Sequence, residues 1–564
     1  MARIRAIDER RLTWVLLAVA MCISATWLMI AGKDLTLSGD EIFYYACFVD
    51  DHGSVAPGSG LEYFLAPHNG HLVVLGKLIY RFLFLTVGTD YTVFRAVEVA
   101  GVLTCSGLFF VLARRRVGPW AALIPSVLLL FLGYAGESLL WPFNLHTILA
   151  LAFGLGALLT LERNDRRGDL ATSVLLALSV ATVELGLAFV VGVALSVLRR
   201  ADRRRRVWIF AVPLALFAIW WLWAQRFGQT SFELANVRLI PIGIANSLAA
   251  VTGSIFGVNP TGADVSTNLT TVTPWGAALA ALAVVGLAFR LSKGKVPEGL
   301  WISLAVILTY WAMIAMAGRP PDSARYIFVG TVMVLLTAAA SLWGVRPTRT
   351  LLIAAACIVA LAIPPNIAKF YDSRSSTVTD AENTKTEYAM LELARSEVDP
   401  GYLPGDDPEI DALGGHVFIP LSAGDYLRAA DEFGSLAFSL DRIRDLDLGL
   451  RSIADSTLVG ALDLELDRSE PPADPSTCPV SRDGRPGRSV FFFLSPGGAL
   501  FGSLTRRPLH MTVGRFGIGG PGVPLGHLDP DEWAELSIPT DAAPDRWWVT
   551  VDGPVSVCPP VSGG

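Results

Sequence analysis

Charge is scarce in this chain: Asp, Glu, Lys and Arg make up 17% of its 564 residues, against 52% hydrophobic residues, with a mean hydropathy of +0.49. A typical soluble domain carries about 25% charged residues, so too little polar surface is encoded here for a globule surrounded by water, and a bilayer is implied. The chain has no phosphate-binding P-loop, no dinucleotide-binding glycine turn opening a helix and no HExxH zinc pair. That excludes a nucleotide-driven engine within these residues. Cysteine is sparse, at six. Cys22, Cys47, Cys105 and Cys357 lie in or beside apolar runs without metal-ligand spacing and read as small core residues. Cys478 and Cys558, each followed by proline, are the only two beyond residue 365, and in an oxidising compartment they are expected to pair.

What is abundant is the apolar run of roughly 17–25 residues that a helix needs to cross the hydrocarbon. About eleven are expected: Leu12–Ala31, Tyr91–Ala113, Trp120–Gly133, Leu140–Leu161, Leu170–Leu187, Ala188–Leu198, Val207–Trp223, Trp275–Leu291, Leu300–Met316, Tyr326–Trp343 and Leu351–Ile363. The first follows Arg3, Arg5, Arg10 and Arg11 and is too long for a cleaved signal peptide, so it reads as a retained start helix. Between runs, basic residues recur in alternate loops: Arg114-Arg115-Arg116, Arg163/Arg166/Arg167, Arg199–Arg206, Arg290/Lys293/Lys295 and Arg346/Arg349. Cytoplasmic loops carry the excess of Lys and Arg. The alternation predicts a multi-pass plasma-membrane protein with a cytoplasmic N-terminus and an extracytoplasmic C-terminus. Leu170–Leu198 is expected to be a tight hairpin of short helices, with Glu184 near its turn facing a cavity or the outer interface.

After about Pro365 no apolar run is long enough to span, and Asp, Gly, Pro and Ser become common. Residues 1–366 are therefore read as a membrane module and 367–564 as an extracytoplasmic soluble domain. Asp380–Val398 predicts an amphipathic helix. Gly415–Leu421, Ser489–Ser495, Leu509–Phe516 and Arg546–Val551 predict strands of a mainly-β, sandwich-like domain. Alternation puts Trp547 and Trp548 on opposite faces; one exposed indole could stack on a sugar ring, but packing is the expectation for both. The basic residues concentrate at the inner edge, where membrane topology and anionic lipid explain them, and the outer domain is acidic, so nucleic acid is excluded as a partner.

The outer loop 33–90 holds the densest chemistry: Asp40, Glu41, Asp50, Asp51, His52, His68, Asn69 and His71. Lys77-Leu-Ile-Tyr-Arg81 and the apolar residues after it suit an interfacial helix. Glu137, Trp141 and Asn144 form an opposite wall. Arg319 and Arg325-Tyr326 precede a late run at the outer side, where an arginine fork can hold a phosphate.

An acidic Asp40-Glu41 soon after the start helix, Ala66-Pro67-His68-Asn69-Gly70-His71 followed by Leu72–Gly88, and Arg95 leading into a run that ends in three arginines resemble the GT-C membrane glycosyltransferases. The likeness is to the polyprenyl- or dolichyl-phosphate-mannose protein mannosyltransferase-like superfamily. It covers roughly residues 10–345, and Arg325-Tyr326 matches as well. Where the family often has His-Pro-Pro followed by aromatics, this chain has His68-Asn69-Gly70-His71.

The resemblance implies an inverting hexosyl- or pentosyltransferase that moves a sugar from a polyprenyl-phosphate donor to a glycan, lipid or protein acceptor of the cell envelope at the outer face. It implies Asp40 as general base with Glu41 its neighbouring candidate. Arg325 is the implied phosphate clamp, with Tyr326 and Arg319 beside it, and His68, Asn69, His71 and Glu137 position the substrate. No cofactor is required, although Asp40, Asp50, Asp51 and the histidines could also form a divalent-metal site. Each residue has a plainer alternative: Asp40-Glu41 as a helix start complementing its dipole, Asp50-Asp51-His52 as an exposed turn, Arg325 as a flanking anchor. The competing functional classes are a lipid or polysaccharide transporter, which predicts midplane charge and internal repeats, and a catalytically silent envelope scaffold with a glycan-binding outer domain.

Overall fold

The computed structural model describes residues 2–47, 60–228, 233–258, 274–294, 296–345, 347–404, 421–481, 489–539, 541 and 543–560. These form two compact units: Met1–Asp34 with Ser54–Thr377, and Leu35–Gly53 with Val378–Gly564. The division falls inside one 45-residue helix, and it assigns the segment after the start helix to the second unit. Residues 415–420 of the strand expected at Gly415–Leu421, together with Asp50, Asp51 and His52, lie outside the described residues.

The first unit is helical. Its elements are α1 (Ala2–Ala31), α3 (Leu61–Leu65), α4 (Val74–Val87), α5 (Tyr91–Val117), α6 (Pro119–Leu130), α7 (Gly136–Leu140), α8 (Leu145–Leu161), α9 (Arg166–Val180) and α10 (Leu185–Leu198). There follow α11 (Arg203–Arg206), α12 (Trp208–Ala224), α13 (Ile240–Phe256), α14 (Pro274–Ser292), α15 (Glu298–Met316), α16 (Ala324–Ser341) and the start of α17 (Arg349–Leu393). The second unit holds α2 (Asp40–Cys47) and the rest of α17.

Among the described residues nine helices are long and apolar enough to cross a bilayer, or ten if Pro119–Leu130 and Gly133–Leu140, bent by 47°, form one broken span. Against the expected spans, α6 ends early at a bend, α9 and α10 are the short hairpin helices expected, at 15 and 14 residues, and α13, unpredicted because Asn246, Ser247, Thr252 and Ser254 dilute its apolarity, also passes the test.

Polar contacts at the helix ends show how the helices run. Arg115 pairs with Glu162 at 2.5 Å, Arg200 reaches Glu298 at 3.5 Å, Arg206 pairs with Asp169, and Arg290 Nε donates to the Ser341 carbonyl at 2.7 Å. Arg116 donates to the Leu336 carbonyl at 3.4 Å. The basic loops read from the sequence thus gather at one end of the bundle. At the opposite end, Arg95 donates to the carbonyls of Leu28 and Leu139, and Asn366 links the Tyr134 N–H to the Ser254 carbonyl. Helix α13 begins beside Met316, whose carbonyl accepts from Asn236, and ends at Asn366. Both its termini therefore lie at that second end, so α13 lies across it rather than passing through the bundle. The short α9 and α10 do run from end to end, since Asn164 and Arg200 meet at the basic end and residues 181–184 touch Leu75 and His71 at the other.

In the second unit, α2 packs on α18 (Ala423–Phe433), with the Tyr45 hydroxyl donating to the Gly434 carbonyl at 2.7 Å. Tyr388 stacks on Tyr426 at 3.9 Å. Helices α19 (Leu440–Arg444) and α20 (Leu448–Ala461) follow. Strands alone were expected here; the three helices are a correction, and each starts on an oxygen cap the sequence displays. Ser422, Ser439 and Asp447 accept the N–H of Asp425, Arg442 and Leu450. The expected helix at Asp380–Val398 is also corrected, since it is the far part of α17, which continues through Pro364 and Pro365.

From residue 467 the chain is β. Strands β1 (Asp467–Ser469), β2 (Val480–Ser481), β3 (Val490–Phe493), β4 (Gly497–Ser503), β5 (Leu509–Gly514), β6 (Val523–Leu528), β7 (Trp533–Ile538), β8 (Trp548–Val551) and β9 (Val555–Cys558) form two antiparallel sheets. Their orders are β1-β7-β4-β9-β2 and β3-β8-β5-β6. Phe492 of one sheet meets Phe501 of the other with ring centroids 5.8 Å apart. Trp547 and Trp548 are both buried, as packing residues. Cys478 and Cys558 are joined by a disulfide, Cα–Cα 4.9 Å, packed on Leu500 and Trp533. The architecture is thus a polytopic helical bundle followed by a C-terminal domain whose β-part is sandwich-like.

Candidate functional site

Polar side chains of the first unit converge at the end of the bundle opposite the basic clusters. His68 and His71 face each other across a two-residue turn: the His68 N–H donates to the His71 carbonyl at 3.0 Å and the reverse bond is 2.9 Å. The residues between them, Asn69 and Gly70, have φ of 51° and 80°. A tight hairpin turn with both central φ positive is what Asn-Gly favours, because neither residue pays heavily for the left-handed region. Asn69 therefore has a structural reason to be there, and its Nδ2 lies 3.4 Å from His68 Nε2.

The turn is held by Glu184, at the start of α10. Its Oε1 accepts the Leu72 N–H at 3.2 Å and its Oε2 accepts from His71 Nδ1 at 2.6 Å. A carboxylate can only accept, so the proton sits on Nδ1 of His71. The Glu184 side chain is 5% exposed and the imidazole 33%. A buried acid thus orients a partly open histidine. The sequence placed Glu184 near a turn facing a cavity or the interface; its pairing with His71, 113 residues away, is invisible without the fold.

Below this turn, α4 presents Leu78, Phe82 and Leu85 outward, the apolar face an interfacial helix needs. Lys77 points the other way. Its ammonium is buried and donates to the carbonyls of Tyr63 and Ala66 at 2.7 and 2.9 Å, over the Tyr63 ring. This ties the chain before the turn to α4. Gly76 allows the close approach of His146: a Cβ there would lie 2.0 Å from the imidazole.

The opposite wall is continuous with the turn. The His68 ring packs on Phe143, Phe143 stacks on Trp141 at 5.0 Å, and the Arg325 guanidinium lies 5.6 Å from the Trp141 ring. Arg325 Nε donates to Glu137 Oε2 at 2.9 Å, with side chains 36% and 40% exposed. Ser138 Oγ donates to the Arg325 carbonyl, and Asn144 Nδ2 to the Glu137 carbonyl. Tyr326 is partly buried, and the charges of Arg325, Arg319 and Glu137 all reach its phenol; Arg319 itself is exposed. The structure thus brings together His68, Asn69, His71, Glu137, Arg325, Tyr326 and Arg319. Glu184, Ser138 and Phe143 join them without having been named as site residues from the sequence.

Asp40 and Glu41 belong to the second unit, in the first turn of α2. Glu41 is fully buried and its Oε2 accepts the Ser38 N–H at 3.2 Å, so it serves as a cap of its own helix start. Asp40 is buried beside it. Both acids complement the helix dipole, as the plainer sequence alternative has it, although burial rather than solvation surrounds them. Among the described residues no group of three or more His, Cys, Asp or Glu is arranged to hold a metal ion.

No protein-family model matches the chain, and no curated protein matches it. Among solved structures it is similar to ArnT from Cupriavidus metallidurans bound to undecaprenyl phosphate, at 12% identity over 69% of this chain and 81% of that one, with a TM-score of 0.40. It is also similar to the arabinosyltransferase EmbB from Mycobacterium smegmatis, at 13% identity over 96% of this chain and 64% of that one, with a TM-score of 0.32. Similarities at this level say nothing of this chain's chemistry.

Proposed function

We propose that this protein is an inverting membrane glycosyltransferase that moves a sugar from a polyprenyl-phosphate donor to a cell-envelope acceptor. The observation that carries the reading is the position of Arg325: a guanidinium over an aromatic ring, only half enclosed, at the end of an apolar bundle remote from the basic loops. Positive-inside topology explains the other arginine clusters, but not this one. A fork of N–H donors there suits a lipid phosphate whose chain lies in the hydrocarbon. With the basic loops taken as cytoplasmic, this end is the extracytoplasmic one, and residues 367–564 are proposed to be extracytoplasmic.

In the reaction, a base takes the proton of the acceptor hydroxyl while its oxygen attacks the anomeric carbon. The bond from that carbon to the phosphate oxygen breaks, and its electron pair leaves with the lipid phosphate. Arg325 stabilises the charge that grows there. His71, oriented by Glu184, and His68 line the same end and are proposed to position the sugar. Asp40 is proposed as the base; that role rests on the sequence resemblance, and Glu41, committed to its own helix start, is the weaker candidate.

The test is sugar transfer from polyprenyl-phosphate donors in membranes, with protein level and folding checked for each variant. Asp40→Asn should lower transfer about 10²–10⁴-fold with little change in donor binding. Arg325→Ala should lower both turnover and donor affinity. Full activity of a folded Asp40→Asn, Glu41→Gln double variant removes the proposed base; failure of any polyprenyl-phosphate lipid to bind the wild type removes the enzyme reading.

A further inference from the structure

Glu137 occupies an unexpected place for a site that is to hold a phosphate. Its carboxylate sits on the Nε of the one guanidinium proposed to do so, 2.9 Å away, and both side chains are about two-fifths open to solvent. An exposed ion pair of this kind contributes little to stability. The backbones that carry the two groups are also tied in place. The Glu137 backbone is held by Asn144 Nδ2 at 2.9 Å, and the Arg325 backbone by Ser138 Oγ at 3.2 Å. A fixed negative charge is therefore built beside the proposed anion site.

We infer that Glu137 is a specificity-determining residue that sets the affinity of this site by ligand charge, admitting the donor and expelling the spent lipid. The inference rests on the glycosyl-transfer reading above. A polyprenyl phosphodiester donor carries one negative charge. When its anomeric carbon–oxygen bond breaks, the electron pair stays on the phosphate and the acceptor proton goes to the base, so the product is a phosphomonoester. At pH 7 that group carries about −1.5 to −2 charges, with a second pKa near 6. Arg325 attracts both ligands. Glu137 repels both, and repels the product roughly twice as strongly. At a half-open site one unit charge a few ångströms away changes affinity about fivefold to tenfold. Glu137 thus discriminates product from donor by about that factor and speeds release of the lipid phosphate.

The experiment measures binding of two probes to the full chain in lipid nanodiscs: undecaprenyl monophosphate, and its methyl phosphodiester as an inert monoanion. Wild type, Glu137→Gln, Glu137→Ala and Arg325→Gln are compared at pH 7.5 and 5.5. At pH 7.5 both Glu137 variants should bind the monoester about fivefold to tenfold more tightly relative to the diester than wild type does. At pH 5.5, where about three-quarters of the monoester has taken up its second proton, that advantage should shrink towards unity, a signature no purely structural role of Glu137 produces. Arg325→Gln should weaken both probes. If Arg325→Gln weakens both while the Glu137 variants shift both probes equally or not at all, the charge-selection role is overturned and the glycosyl-transfer reading survives. If neither probe binds wild type, or Arg325→Gln leaves binding unchanged, both fall.

Discussion

Asp455 offers the sharpest physical test outside the membrane. It is a buried carboxylate on α20 that grips the turn after β5: Oδ1 accepts the N–H groups of Arg515 and Phe516 at 2.9 and 2.7 Å, and Oδ2 accepts that of Gly517 at 2.9 Å. Burial raises its pKa from 3.8 to about 6, against the pull of these N–H groups and the Arg515 charge. A carboxyl whose folded pKa lies above its unfolded value binds protons more tightly when folded. Its stabilising contribution is therefore full below about pH 3.8 and is lost as pH rises through about 6. A shift of about 2 units corresponds to roughly 3 kcal/mol, of which about 2 kcal/mol falls between pH 4.5 and 7. Nearby Asp541 does not blur this window. Burial raises its pKa, but the bonds from Arg515 and the Ala543 N–H outweigh that and hold it below 3.8, so its own effect lies at more acid pH.

The variant is Asp455→Asn, which keeps the Oδ1 acceptor but sets an NH₂ against the Gly517 N–H, at a cost of about 1–3 kcal/mol. The assay is hydrogen exchange by mass spectrometry on peptides covering Leu509–Gly517 in the full chain, corrected for intrinsic rates. Wild-type protection should rise about 25-fold from pH 7 to 4.5 where exchange reports opening of this unit. The variant should lose that slope. A flat wild-type profile, or the same slope in the variant, would falsify the assignment of the pH dependence to Asp455.

Three further outcomes are expected. Reduction of the Cys478–Cys558 bridge, or Cys478→Ala with Cys558→Ala, should destabilise the second unit by about 4 kcal/mol in the chain-entropy model, read as a fall in its denaturant midpoint; an unchanged midpoint refutes it. Gly76→Val should force α4 away from His146 and destabilise the bundle by about 1–3 kcal/mol, measured by thermal unfolding in detergent, and a stability equal to wild type contradicts the packing. Cysteine labels placed in Arg199–Arg206 should react from the cytoplasm and those after Lys369 from outside; the reverse pattern overturns the proposed orientation.

The sequence by itself determined the class of fold. Long apolar runs and arginine-rich loops are local features, and the bilayer's thickness converts run length into spanning helices without reference to partners, so most spans lie within a few residues of their expected limits. The Asn69-Gly70 turn and the N-caps at Ser422, Ser439 and Asp447 are equally local, although only the structure drew attention to them. Helix α13 was not legible, because Asn246, Ser247, Thr252 and Ser254 dilute its apolar run; in the fold Thr252 and Ser254 bond back to carbonyls of α13 itself, and Thr252 also to that of Gly276. Glu184 and His71, or Glu137 and Arg325, are 113 and 188 residues apart, and their pairing depends on which helices end side by side. The side-chain types named Asp40 and Arg325 as candidates. Tertiary structure alone decided that one is buried in the first turn of a helix within the second unit and that the other already faces a carboxylate, because burial and electrostatic neighbours are properties of packing rather than of sequence order.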